Sequence, residues 1–146
     1  MRISKKAEYA LRALVTMARQ KKSWRIEELS ARENIPVKYL EQILLALRHA
    51  GILTSKRGVG GGYALLQPAS KISVGEIIRI LDGPLAPVPC AVAGTSERCT
   101  CPDPRNCPVR IVMTEVTRDL TAALDERTIE EMVRLLPVSE TLAFEI

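Results

Sequence analysis

The chain has 146 residues, 47% of them hydrophobic and 3% aromatic, with a formal net charge of +4. That hydrophobic content excludes a disordered tail, and so few aromatics leave aliphatic side chains to fill the core, which favours packed helices over a β-sandwich. The charge is uneven: residues 1–80 carry 15 Lys/Arg against 6 Asp/Glu, and residues 81–146 carry 6 against 11. A basic half that suits a polyanion is joined to an acidic one.

In chain order, Ser4 is placed to cap a first helix, and Ala7, Ala10, Leu11, Leu14, Val15 and Ala18 follow helical spacing to about Arg19. Glu8 and Arg12 interrupt any apolar leader, and no run approaches the ~18 apolar residues of a membrane span. The expectation is a cytoplasmic protein with no membrane contact, whose thiols stay reduced. After a loop at Lys21–Ser23, a short helix from about Glu27 to Glu33 buries Leu29. Asn34-Ile35-Pro36 then makes a turn, with Pro36 suited to the first position of the next helix. That helix lines up Leu40, Ile43, Leu44 and Leu47 and stops at Gly51.

From Ile52 to Leu66 the period changes to two, around the flexible tip Gly58-Val59-Gly60-Gly61-Gly62, which predicts a β-hairpin. Ser73 and Glu76 predict a capped helix ending near Asp82, stopped by Gly83-Pro84. Residues 85–108 hold five of the nine prolines and all four cysteines and read as an irregular loop. A long helix follows from about Val109 to Asp125, with Val109, Val112, Val116, Leu120 and Ala123 spaced like a coiled-coil seam. Thr128 and Glu131 cap a last short helix, broken at Pro137.

Two short helices, a tight turn and a basic hairpin, all in the basic half, give a winged helix-turn-helix layout, whose second helix fits a DNA major groove. With its apolar stripe facing the core, that helix leaves Lys38, Glu41, Gln42 and Arg48 on other faces, and Tyr39 near its start. Lys38 suits a phosphate, Gln42 an adenine and Glu41 a cytosine amino group, while Arg57, on the hairpin with Lys56 and Gly60, suits a minor groove. His49, at a helix C-terminus, reads as a capping or phosphate-side residue rather than a ligand.

Cys90, Cys99, Cys101 and Cys107 lie within one 18-residue span. Thiolates hold iron–sulfur clusters or zinc. The spacings C-x8-C, C-x-C and C-x5-C fit zinc knuckles poorly, although a zinc- or thiol-switched site stays open. No nucleophile–base pair, phosphate loop or second histidine points to an enzyme. A protein–protein module is the remaining alternative, disfavoured by the arginine and glycines of the hairpin.

The run Tyr39-Leu40-Glu41-Gln42-Ile43-Leu44, then Leu47-Arg48 and Ala50-Gly51-Ile52-Leu53, leads into Ser55-Lys56-Arg57-Gly58-Val59-Gly60-Gly61-Gly62-Tyr63. Together with the opening Met1-Arg2-Ile3-Ser4 and Glu8-Tyr9-Ala10-Leu11-Arg12, it resembles the IscR/NsrR family of winged-helix iron–sulfur transcription regulators. The resemblance implies a mainly α fold with a small β wing, and a homodimer on double-stranded DNA. It implies a winged helix-turn-helix over residues 1–83, a cysteine-rich sensor loop over 84–108, and a dimerisation helix with a C-terminal tail over 109–146. The regulator so implied is a repressor whose DNA affinity is set by a 2Fe-2S or 4Fe-4S cluster. Cys90, Cys101 and Cys107 match the family's three cysteines, and Cys99 is additional, able to replace Cys101 or to supply the fourth bond. The histidine that one branch places three residues after the last cysteine is Arg110 here. Glu8 occupies the place of the acidic first-helix ligand of the nitric-oxide-sensing branch. Glu8 and Cys99 therefore stand as rival fourth ligands.

Overall fold

The computed structural model describes residues 2–94 and 99–138. Met1 of the opening motif, residues 95–98 of the cysteine loop and the tail from residue 139 lie outside the described residues. Ser4 Oγ accepts the Ala7 N–H at 3.1 Å and starts helix α1, Lys5–Arg19. Ala7, Ala10, Leu11, Leu14 and Ala18 fall on its buried side as their spacing predicts, joined by Ala13 and Met17, while Val15 is only half-buried.

Helix α2, Ile26–Glu33, ends on Asn34, whose left-handed backbone (φ 53°) turns the chain toward α3, Val37–His49. Pro36 corrects one expectation: it is the cap of α3 rather than its first residue. Its ψ of 133° is extended, and its carbonyl already accepts the Leu40 N–H at 3.0 Å. A cap position needs no helical ψ, and a proline that follows a residue it restricts is accommodated there without loss of a hydrogen bond. The stripe Leu40, Ile43, Leu44 and Leu47 is wholly buried. Each such side chain contributes about 1.5–3 kcal/mol on leaving water, which fixes the roll of α3 about its axis. Gly51, at φ 79°, ends the helix while the Ile52 N–H reaches back to the Leu47 carbonyl at 3.0 Å.

The hairpin pairs β1, Leu53–Lys56, with β2, Gly62–Leu65, antiparallel, placing Ser55 opposite Tyr63 and Lys56 opposite Gly62. Trp24 adds a partial third strand: it exchanges two backbone hydrogen bonds with Tyr63, at 2.7 and 2.8 Å. Helix α4, Val74–Asp82, starts with the Ser73 hydroxyl accepting the Glu76 N–H at 3.1 Å. After a short 3₁₀ turn at Pro89–Ala91 and the cysteine loop, α5 spans Pro108–Asp125 and α6 spans Ile129–Arg134. Thr128 and Glu131 form the complete reciprocal capping box at the start of α6.

One core serves α1, α3, α4 and α6, with Leu14, Leu40, Leu44, Ile77 and Ile129 all at 0% exposure. The fold is thus mainly helical with a small two-stranded sheet, a winged helix. Helix α5 differs from the rest in having no buried residue. It is held at its C-terminal end, where Asp125 bridges Arg79 at 2.8 Å and the Val74 N–H donates to the Arg127 carbonyl at 2.8 Å. Among the described residues, no helix is long and apolar enough to cross a membrane.

Candidate nucleic-acid interface and cysteine site

The burial of one stripe of α3 decides what its other side presents. Lys38, Tyr39, Glu41, Gln42 and Arg48 are all exposed, as are Lys56, Arg57 and Gly60 on the wing. Arg48 is not loose: its Nη1 donates to Ser55 Oγ at 3.1 Å, tying the last turn of α3 to the first strand of the wing. The helix and the hairpin therefore present one continuous polar surface.

Sequence reasoning missed Leu45, which is 43% exposed at the centre of the outward stripe formed with Lys38, Glu41, Gln42 and His49. The signal was present, since these positions recur at three- and four-residue steps opposite the buried leucines. An apolar side chain there suits a thymine methyl group. Val59, fully exposed at the tip of the wing, was likewise overlooked.

Tyr39 leans on α1. Its ring meets Tyr9 edge-to-face with centroids 6.3 Å apart, and Lys5 and Arg12 each lie 5.5 Å from the Tyr9 ring. Arg12 continues the chain of contacts to α2, with Nε 3.5 Å from Glu33 Oε2, while Thr16 donates to the same carboxylate. These contacts fix where the first turn of α3 stands relative to α1.

The cysteine loop leaves the end of α4 and enters the start of α5. At its departure, Asp82 accepts the Ser4 N–H at 2.7 Å and the Ser4 hydroxyl as well, so the residue that caps α1 is also bound to the end of α4. Of the four cysteines, contacts tie three together. Cys101 Sγ lies 3.7 Å from Cys107 Sγ, and the Cys101 N–H points to Cys99 Sγ at 3.4 Å. Cys90 stands on the 3₁₀ turn before them, half-buried like the others. Glu8 stands on the first turn of α1, paired with Lys5 at 3.1 Å. Among the described residues, no group of three or more metal-type side chains is set out as a ligand cage.

The electrostatics separate the two neighbouring thiols. Cys107 caps α5, and its acidity is raised first by the Arg110 N–H, then by the Cys101 thiol and the Val109 N–H, so its pKa falls below the ordinary thiol value. Cys101, held by its hydrogen bonds to Cys99 and Cys107, is pushed up to about 12. The thiolate is the form that ligates and reacts. In metal-free protein, Cys107 is therefore expected to alkylate at lower pH than Cys101. Iodoacetamide labelling read by mass spectrometry, from about pH 6 to 9, checks the order. Labelling of Cys101 before Cys107 would contradict this geometry.

Comparison with known proteins adds four findings. The family model described as Rrf2, iron-dependent transcriptional regulator, matches residues 3–135. An rrf2-like HTH-type transcriptional regulator of Rhodobacter capsulatus is 38% identical over 137 residues, covering 90% of this chain and 91% of that protein. The HTH-type transcriptional regulator IscR of Klebsiella pneumoniae is 32% identical over 135 residues, covering 91% and 80%. Among solved structures, CymR, the global cysteine regulator of B. subtilis, superimposes with a TM-score of 0.75 at 28% identity, covering 94% of this chain and 99% of that one.

Proposed function

Because the chain belongs to the Rrf2 family, whose members are transcription regulators and not enzymes, we propose that it is a cytoplasmic homodimeric repressor that reads double-stranded DNA with α3 and its wing. The observation that carries this reading is the continuous exposed surface from Lys38 to Arg57, locked by the Arg48–Ser55 bond. In this reading Lys38 and Arg48 hold phosphates, Glu41 and Gln42 meet base edges, and Lys56, Arg57 and Gly60 follow the minor groove. Residues 1–83 form the reading head, 84–108 the sensor loop and 109–146 the dimerisation segment. Support for the dimer is the uncovered apolar side of α5, where Val109, Val112 and Val116 are 56, 51 and 42% exposed.

The four thiols have the soft donor chemistry of an iron–sulfur site, and the convergence of Cys99, Cys101 and Cys107 fits such a group. Cys90, Cys101 and Cys107 would hold it, with Cys99 or Glu8 as the fourth ligand. When bound, the cluster supplies a centre responsive to redox poise, nitric oxide or iron supply. The protein's own part is mechanical. The loop that carries the thiols is anchored at one end by Asp82 on Ser4 and at the other by α5, so its shape bears on both the reading head and the dimer helix. A change of DNA affinity requires two such shapes. The 3.7 Å approach of Cys101 and Cys107 favours one second reading, a thiol switch in which an oxidant such as a peroxide takes two electrons and two protons as the pair forms a disulfide.

Fluorescence anisotropy on duplexes selected from a random pool tests the DNA-binding reading. With roughly six phosphates neutralised per dimer, log affinity should fall with log salt at a slope of about −5. Gln42→Ala should lower discrimination between selected and random duplexes by about 1–3 kcal/mol while leaving that slope unchanged. A flat salt dependence, or selection that yields no preferred duplex, would sink it.

A further inference from the structure

A cavity of about 450 Å³ opens where α4, the start of the cysteine loop and α5 meet. Its walls include Arg79 and Leu85, then Val92 just beyond the Cys90 turn, and Thr117, Arg118 and Thr121 on α5. This volume lies in the ~300–1,000 Å³ range of small-molecule sites, and the lining is mostly apolar with a few charged groups at the rim. We propose that it is an effector site separate from the cysteines, taking a small organic monoanion, a carboxylate or sulfonate with a short apolar body.

Charge argues for that ligand class. Arg79 is committed to Asp125 at 2.8 Å, whereas Arg118 makes no ion pair among the described residues. A guanidinium beside apolar surface pairs with a carboxylate or sulfonate through two parallel hydrogen bonds, while Leu85 and Val92 cover the ligand's body. Two other grooves among the described residues are less suited. Their rims carry the pairs Arg12–Glu33 and Arg134–Glu130, whose carboxylates compete with an incoming anion.

Helix geometry keeps the site open in a dimer. At about 100° per residue, the seam at Val109, Val112, Val116, Leu120 and Ala123 and the wall at Thr117, Arg118 and Thr121 centre on faces of α5 roughly 145° apart. A partner helix laid along the seam leaves the cavity accessible. Because the cavity has walls on α4 and on α5, an occupant fixes one against the other. Its effect on DNA affinity rests on the regulator reading above; its existence does not.

The probe is 8-anilinonaphthalene-1-sulfonate, titrated into the full chain and followed by fluorescence. The expected result is saturable binding that Arg118→Gln weakens about tenfold, the loss of one charge-assisted contact. Arg32→Gln, in the groove between α1, α2 and α6, should bind the probe like wild type, and circular dichroism melts should match for all three proteins. Equal binding by Arg118→Gln, or loss in Arg32→Gln instead, would overturn the site. In a second arm, saturating probe should shift wild-type affinity for a selected duplex at least about threefold and leave Arg118→Gln unmoved. An unmoved wild type would overturn the coupling, whereas absence of DNA binding without probe would overturn the regulator reading alone.

Discussion

Anaerobically purified protein should be brown, with visible absorption bands and stoichiometric iron and sulfide, and Cys107→Ala should be colourless. The substitution removes the thiol that the fold prepares best for ligation. Cys107 sits at the N-terminus of α5, where the Arg110 and Val109 N–H groups favour its thiolate, and it touches Cys101 at 3.7 Å. A ligand must be deprotonated to bind, so the site most inclined to ionise contributes most when lost. The other thiols should grade the result. Cys99→Ala and Glu8→Ala separate the two rivals for the fourth bond: Cys99 is already in contact with Cys101, whereas Glu8 would first have to leave Lys5. Loss of colour in Cys99→Ala with retention in Glu8→Ala is the expected pattern. A colourless, iron-free wild type after attempted reconstitution would remove the cluster and leave the thiol pair; one zinc per chain would point instead to a zinc switch.

Most of the helical frame was legible because it rests on local rules. Ser4, Ser73 and Thr128 cap where a hydroxyl precedes an apolar period, and Gly51 and Gly83 stop helices where only a left-handed residue continues the chain. The reading face followed by subtraction, once the leucine stripe of α3 was assigned to the core. What stayed hidden depends on residues far apart in sequence. Asp82 binds Ser4 across 78 positions, and nothing near either residue announces the partnership. Ile129 enters the core through α6, although its helix is only six residues long and lies in the acidic half of the chain. Leu45 is a different case: its spacing from Lys38, Glu41, Gln42 and His49 already set it opposite the packed stripe, but an apolar side chain drew no notice among polar base readers. At the cysteines, spacing alone suggested a shared site but not that Cys99, Cys101 and Cys107 would group while Cys90 stood on its own turn.

The second large effect is expected at Gly62, and it follows from the bridge that the sequence did not reveal. A Cβ at Gly62 would stand 2.4 Å from the Trp24 carbonyl oxygen and 2.7 Å from its carbon, and the backbone there has φ 142°. The obstructing atoms are main chain, so no side-chain rotation relieves the clash. Gly62→Ala must therefore push Trp24 away from β2, opening the two Trp24–Tyr63 backbone hydrogen bonds. At about 1 kcal/mol for each bond, and a further 1–2 kcal/mol for an unfavourable backbone region, the loss is about 3 kcal/mol, or roughly 10 °C in Tm for a chain of this size. Trp24 is the chain's single tryptophan and is 2% exposed, so its emission should shift to the red in the variant. Gly60→Ala is the control: its Cβ meets nothing within 4 Å, leaving only the strain of φ 74°, about 1 kcal/mol, with an unshifted spectrum. DNA affinity should fall in Gly62→Ala beyond what stability explains, because the hairpin that positions Lys56 and Arg57 is moored to the body of the head through Trp24. A Gly62→Ala protein with wild-type melting and unshifted emission would mean that the wing does not depend on this mooring.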